Sequence, residues 1–135
     1  MANTLLLHSI SYAGLWGQAF LDVEPFIEKA AELGFGGVML TAKRPHLSVL
    51  DCGEAERARL RSLLERRNLN SVVLAGYCNL TGDLEHSEVP VREIQTLYIT
   101  ELARLARDLG APVVRIFSIS SGWYFASTSS LAMPA

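Results

Sequence analysis

The 135-residue sequence has few cysteines, only two lysines, and no excess of either charge. Its two cysteines, Cys52 and Cys78, make neither a disulfide framework nor a C-x-x-C motif, which predicts reduced thiols in a cytoplasmic protein. A net charge of −2 without a run of like charges offers no basic surface for nucleic acid. The uncharged stretch 1–21 lacks the basic start of a secretory signal and is too polar to span a bilayer. We therefore expect a cytoplasmic protein with no nucleic-acid or membrane partner.

Apolar residues are abundant, because half of the chain is hydrophobic and 19% is charged. This composition excludes intrinsic disorder, and the length suits one domain. Apolar runs alternate with stretches of helical periodicity. The pattern predicts strands over 4–10, 37–41, 71–75 and 113–117. Amphipathic crossover helices between buried strands indicate a parallel α/β protein.

The ends of the predicted helices carry recognisable signals. Asp22 is a candidate N-cap for the first helix, and Gly34 is expected to end it. Asp51 and Glu54 have the D-x-x-E spacing of a capping box for the second helix. The third and longest helix is predicted over 91–109. Its expected buried stripe consists of Ile94, Leu97, Tyr98, Leu102, Leu105 and Leu109.

Two parallel architectures compete at this point. A doubly wound sheet suits the length, but the turn after the first strand has no G-x-G-x-x-G motif and no Walker lysine motif occurs. A (β/α)₈ barrel needs about 200 residues or more, so three and a half βα units would make a partial barrel. Polar residues concentrate after the predicted strands, where barrel enzymes carry their chemistry. This asymmetry favours the partial barrel.

Four segments between Leu5 and Phe117 resemble the N-terminal half of the sugar phosphate isomerase/epimerase family, the xylose-isomerase-like TIM barrels. They are S-I-S-Y-A-G-L-W-G-Q from Ser9, E-L-G-F-G-G-V-M-L from Glu32, A-K-R-P-H-L-S from Ala42, and T-E-L-A-R-L-A-R-D-L-G-A-P-V-V-R-I-F from Thr100. The resemblance marks strand entries and does not identify a substrate. It implies an eight-stranded barrel that binds a sugar or sugar phosphate.

The resemblance also implies a divalent metal (Mn, Mg, Co or Zn) and proton transfer next to a sugar carbonyl. In the family, the ion polarises substrate oxygens and a carboxylate moves the proton. The typical ligands, Glu, Asp, His and Glu, come from later strands that would lie beyond Phe117. No position of this chain inherits a ligand, so no metal ligand and no catalytic residue is assigned. Many family members also carry an acid where this chain has Met39.

The composition changes after Phe117. All 26 charged residues lie within 1–117, and the 18 residues 118–135 carry none. We therefore divide the chain into an N-terminal half barrel, 1–117, and an atypical uncharged tail, 118–135. A truncated or frame-shifted reading frame would explain both the length and the tail, so a catalytically incomplete chain is expected.

Six residues are candidate substrate-binding groups because they follow the first two predicted strands. His46 can bind a hydroxyl or phosphate, or can transfer a proton. Basic side chains bind phosphate or carboxylate, and aromatic faces suit a sugar ring. The six candidates are His8, Tyr12, Trp16, Lys43, Arg44 and His46.

Other interpretations of these residues stay open. Cys78 with His46 or His86 fits no compact zinc pattern. Glu85, His86 and Glu88 are better explained as a solvated loop, and Arg115 can bind an anion or pair with an acid. Four parallel strands leave two unpaired edges, so a half barrel that associates with a second copy or a second half is the alternative function. A small doubly wound binding domain is the third.

Overall fold

The computed structural model describes residues 4–79 and 86–117. Four strands alternate with three α-helices, and a 3-10 helix, Ser9–Tyr12, follows the first strand. The strands are β1 (Leu6–His8), β2 (Gly37–Thr41), β3 (Ser71–Asn79) and β4 (Val113–Phe117). The helices are α1 (Val23–Glu32), α2 (Glu54–Arg66) and α3 (Val89–Leu109). Among these residues, no helix is both long enough and apolar enough to cross a membrane.

The four strands form one parallel sheet in the order β1-β2-β3-β4. Each strand therefore pairs with its neighbours in the chain, as in a barrel, and the described sheet has no point where the strand order reverses. A doubly wound domain needs such a reversal. The predicted partial (β/α)₈ barrel is confirmed, and the doubly wound alternative is wrong.

One side of the sheet holds the hydrophobic core. Successive side chains of a strand point to opposite faces, and every second residue of β2 and β3 is buried beneath the helices. These residues pack with the buried faces of all three helices in one cluster. The sheet contributes Val38, Leu40, Val72 and Leu74, and the helices contribute Phe26, Ile27, Leu60, Leu64, Leu102 and Leu105. All three helices therefore cover the same face.

A residue in the left-handed conformation follows each α-helix, and Gly34 ends the first helix as predicted. Gly34 after α1 and Gly110 after α3 have φ values of +79° and +73°. Asn68 ends α2 with φ of +57°, a conformation that asparagine tolerates better than most residues. The helices can therefore turn back towards the sheet within a few residues.

Several predicted details are wrong. The D-x-x-E capping box does not form: α2 begins after Gly53, whose conformation is extended, and the Asp51 carboxylate binds Arg44 instead. Two residues of the predicted buried stripe of α3, Ile94 and Leu97, are 63% and 66% exposed. These two side chains are not buried because, among the described residues, no other element packs against the N-terminal part of α3. Leu102 and Leu105, further along the helix, are fully buried against the sheet.

A largely buried ion pair joins the second and third helices. Arg57 Nη1 lies 2.9 Å from Asp108 Oδ2, and Arg57 Nε donates to the carbonyl of Cys52 at 2.9 Å. Hydrogen bonds from Arg107 and Arg57 lower the pKa of Asp108. Burial raises the pKa of the Cys52 thiol, which is free in the structure. This cluster fixes the loop before α2 against α3.

Candidate functional site

The candidate site lies at the carboxyl ends of the strands, on the face of the sheet opposite the helices. We call it the open face; its residues alternate with those of the core, and in β1 to β4 they are Leu6, His8, Gly37, Met39, Thr41, Ser71, Val73, Ala75, Tyr77, Val113 and Arg115. The carboxyl ends of parallel strands meet at one edge. His8, Thr41, Tyr77 and Arg115 are therefore brought together there.

Ser9 connects the first two strand ends. It is fully buried, and its hydroxyl oxygen accepts a hydrogen bond from the Thr41 backbone N–H at 2.8 Å. His46 Nδ1 lies 3.1 Å from the same hydroxyl oxygen, and His46 Nε2 lies 3.1 Å from the carbonyl oxygen of Leu21. A carbonyl only accepts, so Nε2 carries a hydrogen. In the neutral ring Nδ1 then accepts from the Ser9 hydroxyl, and both ring nitrogens have protein partners.

Two phenylalanine rings lie near the His46 ring. The ring centroids of Phe20 and Phe26 lie 6.2 Å and 6.3 Å from that of His46, and both rings are within 27° of parallel to it. Phe26 is fully buried in α1, whereas Phe20, in the first loop, is half exposed. The imidazole is therefore fixed by packing as well as by hydrogen bonds.

His8 ends β1 on the open face and is half buried. Its Nε2 lies 3.4 Å from Thr41 Oγ1. Burial lowers the pKa of His8, and so do the positive charge of Arg115 and the nearby imidazole of His46. The charge of Arg115 reaches His8 although β1 and β4 are the two edges of the sheet. His8 is thus neutral at pH 7 and lies within the electrostatic reach of the Arg115 guanidinium.

Lys43 lies in the loop after β2, near the carboxyl end of β3. Its Nζ lies 4.1 Å from the centroid of the Tyr77 ring, a cation–π contact between the loop after β2 and the end of β3. Both side chains are half buried. A half-buried ammonium at the end of β3, beside the strand that carries Arg115, offers positive charge suited to an anion.

Arg44 is engaged differently from its neighbour. It is exposed, and its guanidinium binds Asp51 through two hydrogen bonds of 2.6 Å and 2.7 Å. The hydrogen bond from Arg44 lowers the pKa of Asp51 and, reciprocally, raises that of Arg44. The Arg44 guanidinium, which could otherwise bind a phosphate, is therefore already bound to a carboxylate of the same loop.

The two aromatic candidates lie in different environments. Tyr12 packs against the core, with its ring centroid 6.1 Å from that of Phe26. Trp16 is 77% exposed, and its backbone N–H donates to Gln18 Oε1 at 2.8 Å. Tyr12 thus packs beneath the site against the core, whereas Trp16 lies exposed in the first loop. Whether any of the six candidates contacts a substrate stays a prediction.

The residues between β3 and α3 do not form a metal site in the part that the structure describes. The Nδ1 atom of His86 accepts a hydrogen bond from the backbone N–H of Glu88 at 3.1 Å, which orders the start of α3. Glu85 and the side chain of Cys78 lie outside the described residues. Across 4–79 and 86–117, no three His, Cys, Asp or Glu side chains are grouped so that they could hold a metal ion. The described residues therefore do not fit the metal expected from the family.

A surface groove of about 720 Å³ lies elsewhere, between α1 and α2. An ion pair of 2.8 Å between Arg59 and Glu24 joins its two walls. The groove is on the helix layer, away from the open face, and a second ion pair within its lining joins Lys29 to Glu32.

Sequence reasoning missed Ser9 and Tyr77 as members of the site. Both follow or end a predicted strand, which is a usable signal, but their partners are 37 and 34 residues away in the chain. Only the pairing of β1 with β2 and of β2 with β3 brings these partners within reach.

Comparison with known protein families gives one finding. A family model described as a xylose isomerase-like TIM barrel matches residues 27–130, which is more than half of the chain. A search of curated proteins gives no match. The matched range runs past residue 117, where the composition changes. Residues 118–135 lie outside those described, so the boundary at 117 stays a prediction.

Proposed function

Since the chain belongs to the xylose isomerase-like TIM barrel family, we propose that it is a sugar isomerase- or epimerase-like protein that binds a sugar phosphate at the carboxyl ends of its strands. The observation that supports this function is the presence of two positive side chains at the carboxyl ends of neighbouring strands. Lys43 lies over Tyr77 at the end of β3, and Arg115 lies in β4, which pairs with β3 and acts electrostatically on neutral His8.

The binding step depends on the phosphate group. Lys43 provides a charge held over the Tyr77 ring, and Arg115 lies on the adjoining strand. Neutral His8 can donate or accept a hydrogen bond to a sugar hydroxyl, because its lowered pKa keeps it unprotonated at pH 7. The described residues thus bind and orient the substrate.

Proton transfer requires groups outside the described strands. The four strands contain no Asp or Glu, so no carboxylate projects from the open face to move a proton next to a carbonyl. The described residues also do not fit a metal, and no step through a metal is derived from them. We propose that residues 4–117 supply the binding wall of a site whose catalytic groups lie elsewhere.

Isothermal titration calorimetry of the purified chain tests this function. D-fructose 6-phosphate, D-fructose and inorganic phosphate serve as probes. We expect the sugar phosphate to bind at least tenfold more tightly than the unphosphorylated sugar, because only the phosphate engages Lys43 and Arg115. Affinity should fall as salt is raised. Equal affinity for the two sugars, or chelator-sensitive epimerisation by this chain alone, would contradict the proposal.

The adjacent basic residues supply a matched pair of variants. Lys43→Gln should weaken binding of the sugar phosphate about tenfold, which corresponds to about 1.4 kcal/mol. Arg44→Gln removes the same charge one residue later, but its guanidinium is already bound to Asp51. That variant should change the affinity less than threefold. A larger effect at Arg44 than at Lys43 would show that the anion lies on the other side of the loop.

A second function, assembly with another copy, is favoured by the exposed apolar side chains at the edges of the sheet. Leu5, just before β1, is 73% exposed, and Val113 in β4 is 51% exposed. Exposed parallel edges tend to pair. We propose that the chain can self-associate through them. Light scattering after size-exclusion chromatography should then give a dimer, and Val113→Lys should return it to a monomer. A monomer at all concentrations would contradict this function.

A further inference from the structure

His46 joins three separate segments at the candidate site. Through Nε2 it holds the carbonyl of Leu21, at the end of the first loop. Through Nδ1 it holds Ser9, at the start of that loop. Its own backbone N–H donates to the carbonyl of Lys43 at 3.0 Å, within the second loop. One side chain therefore fixes both ends of the first loop against the second.

The network continues to the groups that face the open side. Ser9 passes the connection to the backbone of Thr41, and the Thr41 hydroxyl lies beside His8. Lys43 is connected through its own carbonyl. His8 is connected to the His46 ring through three hydrogen bonds, and Lys43 is connected to the His46 backbone through one, although the two residues lie on different segments.

We propose that His46 is a positioning residue of the site, whose ring acts through Ser9 and Thr41 to hold His8 in place for one phosphate-bearing ligand. The role in ligand binding rests on the proposed function. The ring is not itself a ligand-binding group here, because both of its nitrogens have hydrogen-bond partners within the protein.

Two substitutions separate the two hydrogen bonds of the ring. An asparagine amide takes the position of Nδ1, so His46→Asn can keep the bond to Ser9 and loses the one to Leu21. A glutamine amide reaches the position of Nε2, so His46→Gln keeps Leu21 and loses Ser9. Because His8 is reached only through Ser9 and Thr41, the bond to Ser9 is the one that ligand binding requires.

The first measurement is amide hydrogen exchange at Thr41, whose N–H is bound to Ser9. We expect Thr41 to exchange at the wild-type rate in His46→Asn and at least tenfold faster in His46→Gln. Nitrogen-15 NMR of the wild-type ring should show Nε2 protonated and Nδ1 bare. Exchange at Thr41 that is equal in the two variants, or a ring protonated only at Nδ1, would overturn the proposal.

The second measurement is the affinity for D-fructose 6-phosphate, compared with the thermal midpoint Tm of each variant. We expect His46→Asn to bind within about twofold of wild type and His46→Gln to bind about tenfold more weakly, at similar Tm. Equal weakening in both variants would indicate a general structural role and would overturn the proposal. If wild type does not bind the probe, the proposed function fails, and the exchange at Thr41 alone decides the role of His46.

Discussion

The side chains on the two faces of the sheet differ in how deeply they are buried. On the helix side, Val38 and Leu40 of β2 have no exposed surface and belong to a continuous core. On the open face, Met39 and Val73 are half buried, and Val113 is 51% exposed. The polar groups also differ, since His8, Thr41 and Arg115 all project from the open face. The same strand, β2, thus contributes side chains to a fully buried core on one side and to a partly exposed surface on the other.

This difference separates stability from function within single strands. The helix side contributes most of the apolar burial that holds the fold, and burial is the dominant stabilising term. The open face retains ionisable side chains that a core would not tolerate unpaired. Substitutions on the two faces should therefore have different consequences, even for neighbouring residues.

The sharpest test of the comparison uses two adjacent residues of β2. Leu40→Ala removes a fully buried side chain from the core and should lower the free energy of unfolding by about 2–5 kcal/mol. Met39→Ala, one residue earlier and on the open face, should lower it by about 1 kcal/mol, since Met39 is only half buried. Urea denaturation measures both. Similar losses would mean that the open face is covered in solution.

A second prediction concerns close approach on the open face at Gly37. A Cβ added there would meet the Ser71 carbonyl and would lie 2.6 Å from Leu6 Cδ2. Gly37→Ala should therefore destabilise the protein by about 1–3 kcal/mol, because β1 and β3 must move apart. Gly53→Ala is the control, since its Cβ would meet nothing within 4 Å. Thermal unfolding that ranks Gly53→Ala as the more damaging change would contradict the register of the sheet.

The smallest expected effect is a pH dependence from His8. Its pKa in the folded protein lies below its ordinary value near 6.5, so below that pH the unfolded chain binds a proton that the folded chain resists. The free energy of unfolding should thus fall as the pH drops from 7 to 5, until His8 protonates in the folded state as well. Above pH 7 His8 is neutral in both states and contributes nothing. His8→Gln should show a shallower decline, and identical slopes in urea titrations would refute this account.

Local signals in the sequence predict some elements better than others. β2 and β4 have the predicted bounds because each is a short apolar run that begins just after a glycine or a proline. β1 is shorter than predicted, since the chain turns into a 3-10 helix at Ser9 so that its hydroxyl can reach Thr41. The second helix begins without the predicted capping box because Arg44 binds the Asp51 side chain more closely.

The candidate site shows the same division. That polar residues collect at the strand ends follows from the sequence, and this correctly placed His8, Lys43 and His46 at one edge of the sheet. Which of them are held by the protein does not follow. Arg44 and Lys43 are neighbours in the chain, yet one is bound to a carboxylate and the other lies over an aromatic ring.

The alternation of apolar runs and amphipathic helices determined by itself that this chain forms a parallel β/α sheet, because hydrophobic periodicity is a local property. The tertiary structure decided which face remains open and that both ring nitrogens of His46 find partners, in Ser9 and Leu21. These features depend on contacts between residues 20 to 40 positions apart, and no local pattern records such contacts.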